Sequence, residues 1–129
     1  MSIFKVYTKE KGIVETDNYD EINGLTLHRE YVPAYIQYDD NGSVAYEIYV
    51  INGKRHREDG PAYIRYYSNG KIAYEVYYVY DKCHRLDGPA VIEYNMNGSI
   101  EREYYYINGY RYTKVNYNKE LLKFKLQSL

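Results

Sequence analysis

One spacing constrains this chain more than any other feature. Pro33, Pro61 and Pro89 lie 28 residues apart, and so do Asn41-Gly42, Asn69-Gly70 and Asn97-Gly98. His28-Arg29, His56-Arg57 and His84-Arg85 keep the same interval, as do Glu47, Glu75 and Glu103. Independent columns agreeing on one period mean one supersecondary unit repeated about three times. Asn52-Gly53 returns two periods later as Asn108-Gly109, with Tyr80-Asp81 between them.

The unit reads as a β-hairpin. In the second copy, residues 62–67 and 71–79 alternate with period two around the turn signal Ser68-Asn69-Gly70. A three-residue loop with Gly70 left-handed puts Ala62, Ile64 and Tyr66 on one face with Ile72, Tyr74, Val76 and Tyr78. It pairs Ile64 with Tyr74 and Tyr66 with Ile72, and sets Tyr63 opposite Glu75 with Arg65 diagonal to it. In the first copy Ala34, Ile36 and Tyr38 face Val44, Tyr46 and Ile48. In the third, Ala90, Ile92 and Tyr94 face Ile100, Tyr104 and Tyr106, with Arg102 intruding. Each proline opens a short strand, where its missing N–H costs least. The predicted fold is all-β, an antiparallel meander of about three 28-residue hairpins with a short C-terminal helix.

The ends depart from the repeat and read as caps over open sheet edges. Residues 3–8 and 12–16 suggest an irregular hairpin, and residues 17–23 a loop. Asn118 is the expected capping residue of a terminal helix carrying Leu121, Leu122 and Phe124. The 129 residues suit a single domain. It divides into an N-terminal cap (1–27), hairpin repeats (28–112) and a C-terminal cap helix (113–129).

Composition narrows the function classes. The 17 basic and 18 acidic residues leave a net charge of −1, so no global field draws the chain to nucleic acid or an anionic membrane. There is no signal-peptide pattern and no run near the ~20 apolar residues of a membrane span. Cys83 is the only cysteine and forms no intrachain disulfide, which fits a reducing compartment. The expected location is the cytoplasm of a cell or of an infected host cell. Twenty-one tyrosines, two phenylalanines and no tryptophan suit a thin sheet wet on much of both faces. So much half-exposed tyrosine leaves homo-oligomerisation open.

The unit His-Arg-x-Asp-Gly-Pro-Ala-x-Ile-x-Tyr-x-x-Asn-Gly resembles a divergent branch of the MORN repeats, most of all those in giant-virus and phage proteins. It is similar, more loosely, to MORN-type antitoxin-like proteins of bacteria. The resemblance covers residues 28 to about 112. The second and third copies match closely, through His56 to Ala62 and His84 to Ala90. The first, His28-Arg29-Glu30-Tyr31-Val32-Pro33-Ala34, lacks the Asp-Gly, and tyrosine stands where related repeats often carry tryptophan. The resemblance implies an elongated single-layer sheet used for binding proteins and sometimes lipids, with no shared catalytic residues. A viral or phage origin would imply a host-directed inhibitor.

Two residue sets are candidate sites. Tyr35, Tyr49, Tyr63, Tyr77 and Tyr105, with Glu47, Glu75, Glu103 and Arg65, are expected to share one face. Tyrosine beside arginine is typical of protein-interface hot spots, although the same residues also form cross-strand pairs that only stabilise a sheet. The pairs His28/Arg29, His56/Arg57 and His84/Arg85 should form a ladder along one edge. That ladder suits anion binding, or a turn in which Asp59 and Asp87 pair with the arginines. Histidines a repeat apart, roughly 9.5 Å across two strands, are too far apart to share a metal ion. No cofactor is expected, and no catalytic constellation converges. The reading is therefore a non-enzymatic module with a protein partner. The alternatives are a binder of a phosphate-bearing ligand or nucleic acid, the latter disfavoured by the interleaved Glu, and an antitoxin-like neutraliser of a toxin.

Overall fold

The computed structural model describes residues 3–127. Among the described residues its regular elements are thirteen strands, one 3-10 turn (Tyr19–Glu21) and one C-terminal helix, joined by turns and loops. The N-terminal hairpin joins β1 (Ile3–Thr8) to β2 (Gly12–Thr16), with the predicted bounds. The first repeat gives β3 (Tyr35–Tyr38), β4 (Val44–Ile48), β5 (Val50–Ile51) and β6 (Lys54–Arg55). The second gives β7 (Tyr63–Tyr66), β8 (Ile72–Val76), β9 (Tyr78–Val79) and β10 (Lys82–Cys83). The third gives β11 (Val91–Tyr94), β12 (Ile100–Ile107) and β13 (Tyr110–Tyr112), followed by α1 (Lys114–Gln127). Nine strands form the main sheet in the order β2-β1-β3-β4-β7-β8-β11-β12-β13. It is an antiparallel meander in which the N-terminal hairpin docks through β1 onto β3.

The second run is one continuous strand only in the third unit, as β12. In the first two repeats it leaves the sheet at Tyr49 and Tyr77 and closes a small separate hairpin, β5-β6 or β9-β10. Asn52-Gly53 turns with both φ positive (50° and 77°), and so does Tyr80-Asp81 (44° and 66°). These are the two-residue turns whose twist matches the flanking strands.

The turn at Gly70 forms as the sequence implies, with φ 83° and Tyr67 N–H donating to the Lys71 carbonyl at 2.8 Å. Tyr66 opposes Ile72, also as predicted. One residue further on the predicted register fails. Arg65 opposes Tyr74 and Ile64 opposes Glu75, because Ala73 is an extra residue bulged out of the ladder. The same bulge falls at Ala45 and Glu101 in the other repeats. A bulge reverses the parity of everything beyond it. So Ile36, Ile64 and Ile92 share a face with Glu47, Glu75 and Glu103, not with Tyr46, Tyr74 and Tyr104.

The sheet has little dry interior. Its accessible surface is 8109 Å², against ~7200 Å² for a compact chain of this mass. The largest fully buried side chain is Val6, and the alanines after the prolines (Ala34, Ala62 and Ala90) are closed off entirely. The helix begins four residues before the expected cap. Thr113 Oγ1 accepts from the Asn116 N–H at 3.2 Å, as an N-cap does. Tyr117, not the leucines, is its buried residue; Leu122 is 61 % exposed.

Candidate functional site

Three loops, residues 28–33, 56–61 and 84–89, line one edge of the sheet. Each is anchored at a tyrosine corner. Tyr7, Tyr49 and Tyr77 donate their N–H to the carbonyls of Ala34, Ala62 and Ala90, and their own carbonyls accept from the N–H of His28, His56 and His84. The arginine next to each histidine folds back over that tyrosine ring. Arg29 lies 3.6 Å from the Tyr7 centroid, and Arg57 and Arg85 lie 4.0 Å from those of Tyr49 and Tyr77. Arg57 Nε donates to Asp59 at 2.9 Å and its Nη1 to the Pro61 carbonyl at 3.1 Å. Arg85 repeats this with Asp87 and Pro89. A Cβ at Gly60 would lie 2.9 Å from Arg57 Cζ, so the glycine makes room for the guanidinium. Asp-Gly-Pro is thus a clamp built around one arginine. Burial raises the Tyr49 and Tyr77 phenol pKa values, while each stacked guanidinium pulls the other way.

The histidines are turn braces. The Nδ1 of His28, His56 and His84 accepts from the backbone N–H of Asn52, Tyr80 and Asn108 at 2.9, 3.2 and 2.9 Å. An accepting Nδ1 requires the neutral ring, with its proton on Nε2. Burial lowers the His84 pKa, favouring the same form. Each His-Arg pair therefore ties its own loop to the preceding strand and to the two-residue turn one repeat on.

The loops enclose two clefts on either side of the second loop. One, of about 330 Å³, lies towards the first loop and includes Tyr31, Tyr49, Glu30 and Glu58. The other, of about 610 Å³, lies towards the third loop and includes Tyr80, Leu86, Glu58 and Asp87. Tyr31 is 90 % exposed, Tyr80 54 % and Leu86 41 %. These three were not among the residues picked from the sequence. Their signal is a break in a column: Tyr31 stands where the other units have Asp59 and Asp87, Leu86 where they have Glu30 and Glu58, and Tyr80 where they have Asn52 and Asn108.

The expected tyrosine-glutamate face divides in two. Glu47, Glu75 and Glu103 lie on one face, with Tyr49, Tyr77 and Tyr105 two residues further along each chain. Tyr35, Tyr63 and Arg65 lie on the other, since they oppose Ile48, Val76 and Tyr74. There Tyr63 packs between Tyr46 and Tyr74 at 6.0 and 5.9 Å, and Tyr35 packs on Phe4 at 6.0 Å. The glutamates have internal partners: Glu47 accepts from Tyr66 at 3.3 Å, Glu75 from Tyr94 at 2.5 Å and Glu103 from Tyr105 at 3.0 Å. Burial and the Glu47 carboxylate push the Tyr66 pKa up to about 12.

Among the described residues, no group of three or more His, Cys, Asp and Glu is placed to hold a metal ion, and no helix is long and apolar enough to cross a membrane. Burial raises the Cys83 thiol pKa, the direction opposite to that of a reactive thiolate. Comparison with protein-family models, curated proteins and solved structures returned no match. The fold and the edge together define an antiparallel β-meander with a row of arginine-clamped loops.

Proposed function

We propose that the chain is a non-enzymatic protein-binding module whose partner docks on the loop edge. One observation carries this reading. The edge arginines are occupied internally, while Tyr31, Tyr80 and Leu86 stand outward around the clefts. Arg57 and Arg85 side chains are only 22 % and 21 % exposed, whereas the carboxylates of Glu58, Asp59 and Asp87 are 83–87 % exposed. An outward surface of tyrosine, leucine and carboxylate favours a protein over a phosphate-bearing ligand, because anions need free cations. The loop edge takes precedence over the tyrosine-glutamate column, whose rings and carboxylates already satisfy one another. The MORN-like resemblance points the same way. Inhibition of a host protein belongs to this proposal and rests on the resemblance alone; a place in the cytoplasm belongs to it too and rests on the lone Cys83 and the sequence pattern.

The test is affinity capture from a host lysate after nuclease treatment, at two salt concentrations. The comparison is the triple variant Tyr31→Ala, Tyr80→Asn, Leu86→Ala. A single protein retained at both salts and lost with the variant is the expected result. A signal abolished by nuclease or by salt rejects the reading in favour of a phosphate-bearing ligand.

A further inference from the structure

We infer that the larger cleft takes an arginine side chain of the partner, a reading that rests on the protein-binding role just proposed. The molecule itself shows how it holds guanidinium groups. Five of them lie over tyrosine rings at 3.6–4.4 Å: Arg29 on Tyr7, Arg55 on Tyr78, Arg57 on Tyr49, Arg85 on Tyr77 and Arg111 on Tyr104. In three of them a carboxylate sits 2.9 Å from Nε, from Asp81, Asp59 and Asp87 respectively. A tyrosine face with a carboxylate at its rim is this fold's recurring arginine site.

The larger cleft offers the same components at Tyr80, whose ring carries none of the five stacked arginines. Tyr80 forms one wall; it stacks on His56 at 4.0 Å and is otherwise half open to solvent. Glu58 stands beside it, with His56 Nε2 3.7 Å away, beyond hydrogen-bonding reach. Leu86 supplies apolar surface for the methylene stem of an incoming side chain. The lining charges are unbalanced. Glu58, Asp59 and Asp87 oppose Arg57 and Arg85, which leaves one formal negative charge uncompensated, while the Nδ1 atoms of His56 and His84 are taken up by backbone N–H groups. The cleft fits one cation.

Tyr80 also sits where its backbone disfavours it. Its φ is 44° and that of Asp81 is 66°, whereas the equivalent turns use Asn-Gly. The left-handed region is one that a bulky L side chain rarely adopts. Its ring is half exposed, so this strain is not repaid by burial. The stack on His56 and the Asp81–Arg55 pair hold the turn, and the remaining ring surface of Tyr80 is open to a partner. Arginine suits the cleft better than lysine, because a planar guanidinium stacks on the ring while its fork reaches a carboxylate.

The test titrates the isotope-labelled full chain with N-acetyl-arginine amide and follows it by NMR. Saturable shifts are expected at Tyr80, Leu86 and Glu58. The uncharged citrulline analogue should give none, and the lysine analogue should bind about fivefold more weakly. Tyr80→Asn restores the residue found at the other two turns, so the fold is kept and the shifts should be lost. Glu58→Gln should lose them too. The inference is overturned by absent or unsaturable shifts, by equal binding of citrulline, or by indifference to both variants. A partner captured equally well by the wild type and by the Tyr80→Asn, Glu58→Gln double variant leaves the protein-binding reading standing and removes this one.

Discussion

Tyr117 of the helix lies over Tyr105, ring centroids 4.8 Å apart, where each preceding unit places an arginine. The residue 28 positions after Arg85 is Thr113, the helix N-cap, so the last tyrosine corner has no arginine of its own. Tyr117 Oη lies 2.6 Å from the Arg85 carbonyl and 2.9 Å from that of Gly88, and accepts from the Gly88 N–H at 3.3 Å. The helix thus closes the repeat array by imitating the missing guanidinium. Tyr117→Ala removes a ring that is 2 % exposed and should cost ~3–5 kcal/mol. Tyr117→Phe keeps the stacking and should cost ~1 kcal/mol. Urea unfolding midpoints of the two variants check the difference.

Gly60 and Arg57 should behave as one structural unit. A methyl group at Gly60 would sit 2.9 Å from Arg57 Cζ and displace the guanidinium from Tyr49 and Asp59. Gly60→Ala and Arg57→Ala are each expected to destabilise by ~1–2 kcal/mol, and the double variant by little more than the larger single effect. Additive losses in a double-mutant cycle would show that the glycine serves some other purpose.

The sequence disclosed the period, the N-terminal hairpin, the Gly70 turn and the structural roles of Asp59 and Asp87 within reach of the arginines. It hid the bulges. Ala73 breaks the parity, yet Ile72, Tyr74 and Val76 alternate as regularly as Ala73, Glu75 and Tyr77. In a thin sheet both faces carry apolar groups, so alternation no longer marks an inside. The helix start is hidden in the sequence for a related reason. Its anchor is a single tyrosine matched to Tyr105, not an apolar stripe, and Val115, Leu122 and Leu126 remain exposed. The cleft residues Tyr31, Tyr80 and Leu86 are legible only as departures from the repeat.

Tyr94 and Glu75 link β11 to β8 through a 2.5 Å hydrogen bond to a carboxylate that is 9 % exposed. Burial first, then the bond and charge of Glu75, raises the Tyr94 pKa. The phenol therefore remains a donor across the neutral range. Tyr94→Phe strands a buried carboxylate and should cost ~1–3 kcal/mol. Adding Glu75→Gln to Tyr94→Phe should recover part of that loss, because the uncharged amide is cheaper to bury. Thermal melts of the single and double variants give the sign directly.

Acid should loosen the loop edge before it titrates most carboxylates. His84 Nδ1 must stay unprotonated to accept from Asn108 N–H, and burial lowers its pKa from the ordinary value of 6.5. Between that lowered value and 6.5 the unfolded chain binds the proton more readily than the folded one, so stability rises with pH across the window. The contribution of His84 is fully present above about pH 6.5 and is lost as pH falls through the folded value. The urea midpoint of the wild type should therefore drop between pH 7.5 and 5.5. His84→Gln, which has no proton to gain in this range, should drop less over the same interval. Equal drops in both proteins would assign the acid sensitivity to other groups and remove His84 from the account.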